Sequence, residues 1–75
     1  MNISDVIVHI KESLGSEARL SLENAIREIE GVVSARFNPG KEHLLVVAYD
    51  TGKANAAALL GKTRAAGYTA QLIGM

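Results

Sequence analysis

The chain has 75 residues, enough for one small domain, and 48% of them are hydrophobic. Eight Lys and Arg residues balance eight Asp and Glu residues, so no net charge would attract the chain to nucleic acid or to an anionic membrane. The sequence contains no cysteine, which excludes a disulfide, a thiolate nucleophile and a thiolate metal site. No apolar stretch approaches the roughly 20 residues of a membrane span. We therefore expect a single cytoplasmic domain over residues 1–75 without membrane insertion.

The first part of the chain predicts a strand followed by a helix. Residues 5–11 are rich in β-branched side chains and alternate as a strand with one buried face does. Ser16 is a suitable N-cap for the helix that follows, because the apolar residues from position 18 to position 29 recur with a 3.6-residue period. Gly31 is expected at the C′ position that ends this helix.

A hairpin is predicted next. Residues 32–37 and 43–49 are β-prone and flank Asn38-Pro39-Gly40-Lys41, where proline presets φ and glycine supplies a positive φ.

The rest of the chain predicts a second helix and a last strand. Asn55 is a candidate N-cap for an alanine-rich helix over residues 56–66, with Gly67 closing it, and residues 68–73 alternate as a strand. The order β-α-β-β-α-β predicts an α+β, ferredoxin-like fold: a four-stranded antiparallel sheet with two helices on one face.

Residues 22–32, 46–50 and 64–70 are three segments that, in this order, resemble the heavy-metal-associated domain family, and the resemblance covers residues 22–75. The segment from Leu22 to Val32, Leu-Glu-Asn-Ala-Ile-Arg-Glu-Ile-Glu-Gly-Val, is similar to the family's first-helix signature. Residues 46–50 look like its third strand, and residues 64–70 look like its junction between the second helix and the last strand. The resemblance implies the same ferredoxin-like fold and a link to copper chaperones and metal transport.

The family's metal-binding motif is missing. Members typically carry Gly-Met-x-Cys-x-x-Cys between the first strand and the first helix, where two thiolates bind Cu(I), Zn(II) or a similar ion. The aligned residues are 12–18, so the cysteine positions hold Gly15 and Ala18, and Glu12 and Ser13 replace the glycine and methionine. None of the family's metal-binding residues is carried over to this chain.

Other side chains offer weak metal-ligand candidates. The most capable are His9, His43, Met1 and Met75, and a site needs at least two of them to converge. The topology places His9 close to His43, but strand parity puts His9 on the outer face and His43 on the helix-covered face, which predicts two separate surface histidines.

The first loop offers only hard oxygen ligands. Glu12 and Glu17 could hold a hydrated divalent ion weakly. An ordinary polar loop with an acidic helix start is the favoured interpretation.

The strand pattern leaves apolar side chains on both faces of the sheet. The inward set is Val6, Val8, Ile10, Ala35, Phe37, Leu45, Val47, Tyr49, Ala70 and Leu72. The outward set includes Ile7, Leu44, Val46, Ala48 and Ile73. An apolar patch across neighbouring strands often marks a contact surface, so we expect a protein partner or a homodimer at this face.

The sequence therefore predicts a non-enzymatic domain without a cofactor: a degenerate heavy-metal-associated domain that acts as a protein-interaction or accessory module in metal ion handling. The alternative is a metal-binding protein or metallochaperone that holds a transition metal ion weakly through histidine and carboxylate ligands. A regulatory or small-molecule domain of the broader ferredoxin-like type rests on fold analogy alone.

Overall fold

The computed structural model describes residues 2–73. Four strands form one antiparallel sheet in the order β2-β3-β1-β4. Both helices pack on one face of this sheet, which confirms the predicted α+β, ferredoxin-like fold. Neither helix is long and apolar enough to cross a membrane. The elements are β1 (Ile3–Ile10), α1 (Ser16–Arg27), β2 (Val32–Asn38), β3 (Lys41–Asp50), α2 (Ala56–Ala65) and β4 (Ala70–Ile73).

The ends of α1 differ from the prediction. Its N-cap is Gly15, in an extended conformation with no side-chain cap, and Ser16 is already the first helical residue. The helix ends at Arg27 with Glu28 as C-cap, so Gly31 is not its C′ residue. Two backbone hydrogen bonds between residues three positions apart, from Ile29 N to Ile26 O and from Val32 N to Ile29 O, form a separate turn before β2. Gly31 lies in that turn with φ +97°.

The hairpin and the second helix form as predicted. Asn38 pairs with Lys41, so Pro39 and Gly40 alone make the turn, and Gly40 has φ +78°. Asn55 caps α2, because its Oδ1 accepts a hydrogen bond from the N–H of Ala58 at 2.7 Å. The last strand begins at Ala70, two residues later than the alternation suggests.

The core lies between the sheet and the helices. Every residue predicted to face inward is buried except Leu72, which is 37% exposed. Leu72 is on β4, an edge strand of four residues with a neighbouring strand on one side only. From the helices, Leu22, Ile26 and Leu59 complete the core.

Two glycines with almost the same φ provide a test of the packing between the turn before β2 and Lys53. A Cβ on Gly31 would lie 2.7 Å from the Cβ of Lys53, whereas a Cβ on Gly67 would meet no atom within 4 Å. Gly67 has φ +99°, so Gly67→Ala should cost only the strain of a left-handed residue, about 1–2 kcal/mol of unfolding free energy. Gly31→Ala should lower the unfolding free energy by more, because it adds a steric clash. Urea unfolding followed by circular dichroism measures both, and equal losses would contradict this packing.

Candidate functional site

The loop between β1 and α1 contains no side chain able to hold a soft metal ion at either family cysteine position. Gly15 is exposed at the helix N-cap, and Ala18 packs partly against the core from the first turn of α1. Neither residue has a donor atom in its side chain. The loop therefore does not fit a soft metal ion of the kind that two thiolates bind.

An arginine occupies the polar side of this loop. The Nη1 atom of Arg19 donates a hydrogen bond to the carbonyl oxygen of Leu14 at 2.6 Å, and it lies 3.4 Å from Oε2 of Glu42. The Leu14 side chain is buried in the core. The loop is thus fixed from inside by an apolar side chain and from outside by a guanidinium group.

The other end of the loop is joined to the start of β4. The N–H of Lys11 donates to the carbonyl oxygen of Thr69 at 2.9 Å, and the N–H of Thr69 donates to Oε1 of Glu12 at 2.8 Å. This second hydrogen bond lowers the pKa of Glu12 below its ordinary value. Glu12 therefore has a structural partner within the chain, while Glu17 is exposed in the first turn of α1.

The two histidines come together, contrary to the parity argument. Their ring centroids are 6.0 Å apart and the ring planes differ by 24°. The regular pairing of β1 with β3 ends at His9 and Leu44. One residue beyond, the side chain of His43 forms a hydrogen bond from Nδ1 to the carbonyl oxygen of Ile10 at 2.7 Å. This side-chain bond to the backbone of β1, rather than strand alternation, sets the position of the His43 ring.

The metal-ligand candidates that the structure describes, His9, His43, Glu12 and Glu17, do not form one cluster. Within residues 2–73, no group of three or more His, Asp or Glu side chains could hold a metal ion. His9 and His43 are the pair that the structure brings together, and Glu12 is bound to the backbone of Thr69. Met1 and Met75 lie outside the described residues.

The outer face of the sheet, opposite the helices, carries a continuous apolar row. Val46 pairs with Ile7, and Ile7 pairs in turn with Ile73. Leu44 and Ala48 lie two residues to either side of Val46 on β3. The β1 and β3 members of this group are half-buried, and Ile73 is 36% exposed. We refer to these five residues as the outer-face cluster.

Two of these contacts were not predicted from the sequence. The bond from Arg19 to the Leu14 carbonyl joins a helix side chain to a loop backbone atom, and the bond between Glu12 and Thr69 joins residues 57 positions apart. Each of these bonds joins a side chain to a backbone atom, and every residue has such backbone atoms, so the sequence does not identify the partner. Neither contact therefore has a signal in a single sequence.

Several solved structures share this fold. Oxidized MerP from Ralstonia metallidurans CH34 is 22% identical, with a TM-score of 0.85 over 97% of this chain and 100% of that one. A second similar structure is the N-terminal domain of a potential copper-translocating P-type ATPase from Bacillus subtilis in its Cu(I)-loaded state. It is 23% identical, with a TM-score of 0.85 over 97% of this chain and 90% of that one. A CopZ metallochaperone is 24% identical, with a TM-score of 0.82 over 91% of this chain and 100% of that one.

No protein-family model and no curated protein matches the sequence. The strand order and the solved structures together give this chain the fold of the heavy-metal-associated domains. It is a form of that fold without cysteine, as the sequence resemblance implied.

The hydrogen bond between Glu12 and Thr69 predicts a pH-dependent contribution to stability. Because the pKa of Glu12 is lower in the folded state, the ionised carboxylate stabilises the fold above the ordinary glutamate pKa of about 4.3. This contribution is lost as the pH falls through the lowered pKa of the folded state. Glu12→Gln should therefore be less stable than the wild type at neutral pH, and the difference should shrink in acid.

Urea unfolding at a series of pH values measures this difference, with Ser13→Ala as a neutral control in the same loop. The amide signal of Thr69 should also titrate in the wild type and stay constant in Glu12→Gln. A stability difference that is the same at every pH would contradict the assignment.

Proposed function

We propose that this domain is a non-enzymatic protein-contact module of cytoplasmic metal ion handling, and that the outer-face cluster is its contact surface. The observation that carries the proposal is the row formed by Val46, Ile7 and Ile73 across three neighbouring strands. The link to metal handling is supported by the fold, because the similar structures include a metallochaperone and a domain of a potential copper-translocating ATPase.

The position of the cluster favours a contact role over a purely structural one. The helices cover the inner face of the sheet, so the outer face contributes little to the core of a lone domain. Polar residues are expected on the solvent side of such a sheet, whereas apolar patches mark interaction surfaces. Ile3 extends the apolar surface at the start of β1, where it is 47% exposed.

Charges beside the cluster fit a second copy of this chain as the partner. Arg36 pairs with Val46 on the β2 side, and Asp5 pairs with Ala48 on the β1 side. A two-fold symmetric interface uses the same surface from both copies. Arg36 of one copy can then face Asp5 of the other across the apolar row.

The first loop supports a function that does not depend on thiolate metal transfer. Ligand exchange between proteins requires metal-binding side chains at the surface, and positions 15 and 18 supply none. The Leu14 carbonyl and the Glu12 carboxylate of the loop are instead bound to Arg19 and Thr69. We therefore place the interaction on the sheet rather than on the loop.

The contact role predicts that a charge in the cluster blocks association. Val46→Lys should abolish self-association of the purified domain, because it buries an unpaired ammonium group in the interface. Leu20→Lys is the matched control, since Leu20 is 55% exposed on α1 in the opposite layer. Sedimentation equilibrium over a range of concentrations measures both variants, and circular dichroism checks that both are folded.

A photocrosslinking residue distinguishes a second copy from another partner. At position 46 it should give a discrete adduct in cells, and at position 20 it should give none. The mass of the adduct shows whether the partner is a second 8.0 kDa chain. Monomeric wild-type protein without a specific adduct at position 46, or the same adducts from both positions, would contradict the proposal.

A further inference from the structure

The histidine pair lies at the edge of the outer face, next to the first residues of the first loop, because His43 binds the carbonyl oxygen of Ile10. His9 is on the central strand β1, and His43 is near the start of β3. Both rings border an open depression of about 410 Å³, and His9 also borders a second one of about 150 Å³. The pair is therefore reachable from solvent.

The hydrogen bond of His43 fixes which nitrogen can bind an ion. A carbonyl oxygen only accepts hydrogen bonds, so the bond to Ile10 requires the proton on Nδ1. In the neutral ring, Nε2 then carries the free lone pair. Histidines that bind metals usually donate their other ring N–H to a carbonyl or carboxylate in this way, which orients the ring.

The spacing of the rings is close to that of two ligands on one ion. Two imidazoles on one ion, each with a metal–nitrogen bond of about 2.0–2.1 Å, have centroids about 4.5 Å apart at the right angle that Cu(II) prefers and about 5 Å apart at a tetrahedral angle. The observed separation is 6.0 Å. The rings lie nearly parallel, so a rotation of the His9 ring is needed for both nitrogens to point at one ion. The His9 side chain borders two open depressions, and the site requires that rotation to take place within them.

The ligand set selects the class of ion. Imidazole nitrogens suit divalent ions of the later first-row metals, with Cu(II) bound most strongly, whereas Cu(I) prefers thiolate and thioether sulfur. Lys41 and Glu42 border the same depression, so neither charge sign dominates there. With only two protein ligands, water fills the remaining coordination positions and the ion stays exchangeable.

We propose that His9 and His43 form a two-ligand site for a divalent transition metal ion, with Cu(II) bound more tightly than Zn(II). This site borders the first loop, but its ligands are neither the side chains of that loop nor residues at the family's cysteine positions. It does not rest on the contact role of the outer face, and either proposal can fail without the other.

The test is a titration of the purified domain with Cu(II), followed by amide NMR and by calorimetry. Paramagnetic broadening should be centred on His9, His43 and their neighbours, at one ion per chain. His9→Ala and His43→Gln should each weaken binding at least about tenfold, because each removes one arm of the chelate. The glutamine at position 43 keeps an N–H donor for the Ile10 carbonyl, so loss of binding there is not a folding effect.

Gln71→Ala is the matched control. Gln71 pairs with His9 across the sheet, and its substitution leaves both histidines in place. It should leave the affinity unchanged. Three results would overturn the proposal: broadening centred on residues 12–17, single-histidine variants that bind as tightly as the wild type, or copper-dependent dimers in which each ion joins two chains.

Discussion

The register of β1 on β3 is the constraint on which the rest of this structure depends. It places Val8 beside Leu45 under the helices, both fully buried, and Ile7 beside Val46 on the opposite face. Because side chains alternate along a strand, a shift of one residue would exchange the two faces completely. The same register ends at His9 and thereby brings His43 within reach of the Ile10 carbonyl. Core, outer face and histidine pair are consequences of one strand pairing.

The first loop keeps its place in the fold although the family's ligands are missing. Leu14 anchors it in the core, Arg19 binds its backbone, and Glu12 joins it to Thr69 at the start of β4. A metal-binding loop needs donor atoms directed at the ion. Here the Leu14 carbonyl and the Glu12 carboxylate are bound to other parts of the chain, and these bonds hold the loop in place. The proposed contact surface is instead the sheet, where apolar side chains continue across three strands.

Patterns within single elements could be predicted from the sequence, and contacts between distant elements could not. Strand alternation predicted which side chains lie on each face of the sheet, and the residue type of Asn55 predicted that it caps α2. Ser16 is a good N-cap residue by type, but it is the first helical residue, and the N-cap is Gly15, which has no side-chain oxygen. Strand parity predicted that the two histidines lie on opposite faces, but parity applies only where β1 and β3 are paired. That pairing ends at His9 and Leu44, and beyond it the hydrogen bond of His43 to the Ile10 carbonyl sets the position of the ring.

This chain has the scaffold of a heavy-metal-associated domain without the family's metal ligands, and restoring those ligands shows whether the scaffold can still bind a metal ion. Gly15 has φ −70° and no atom within 4 Å of an added Cβ, so a cysteine fits there without strain. The double variant Gly15→Cys/Ala18→Cys should gain Cu(I) binding in competition with a chromogenic chelator, while the wild type should show none tighter than about 1 μM, or about 8 kcal/mol. A double variant that binds Cu(I) no better than the wild type, or a wild type that already binds it tightly, would contradict the account.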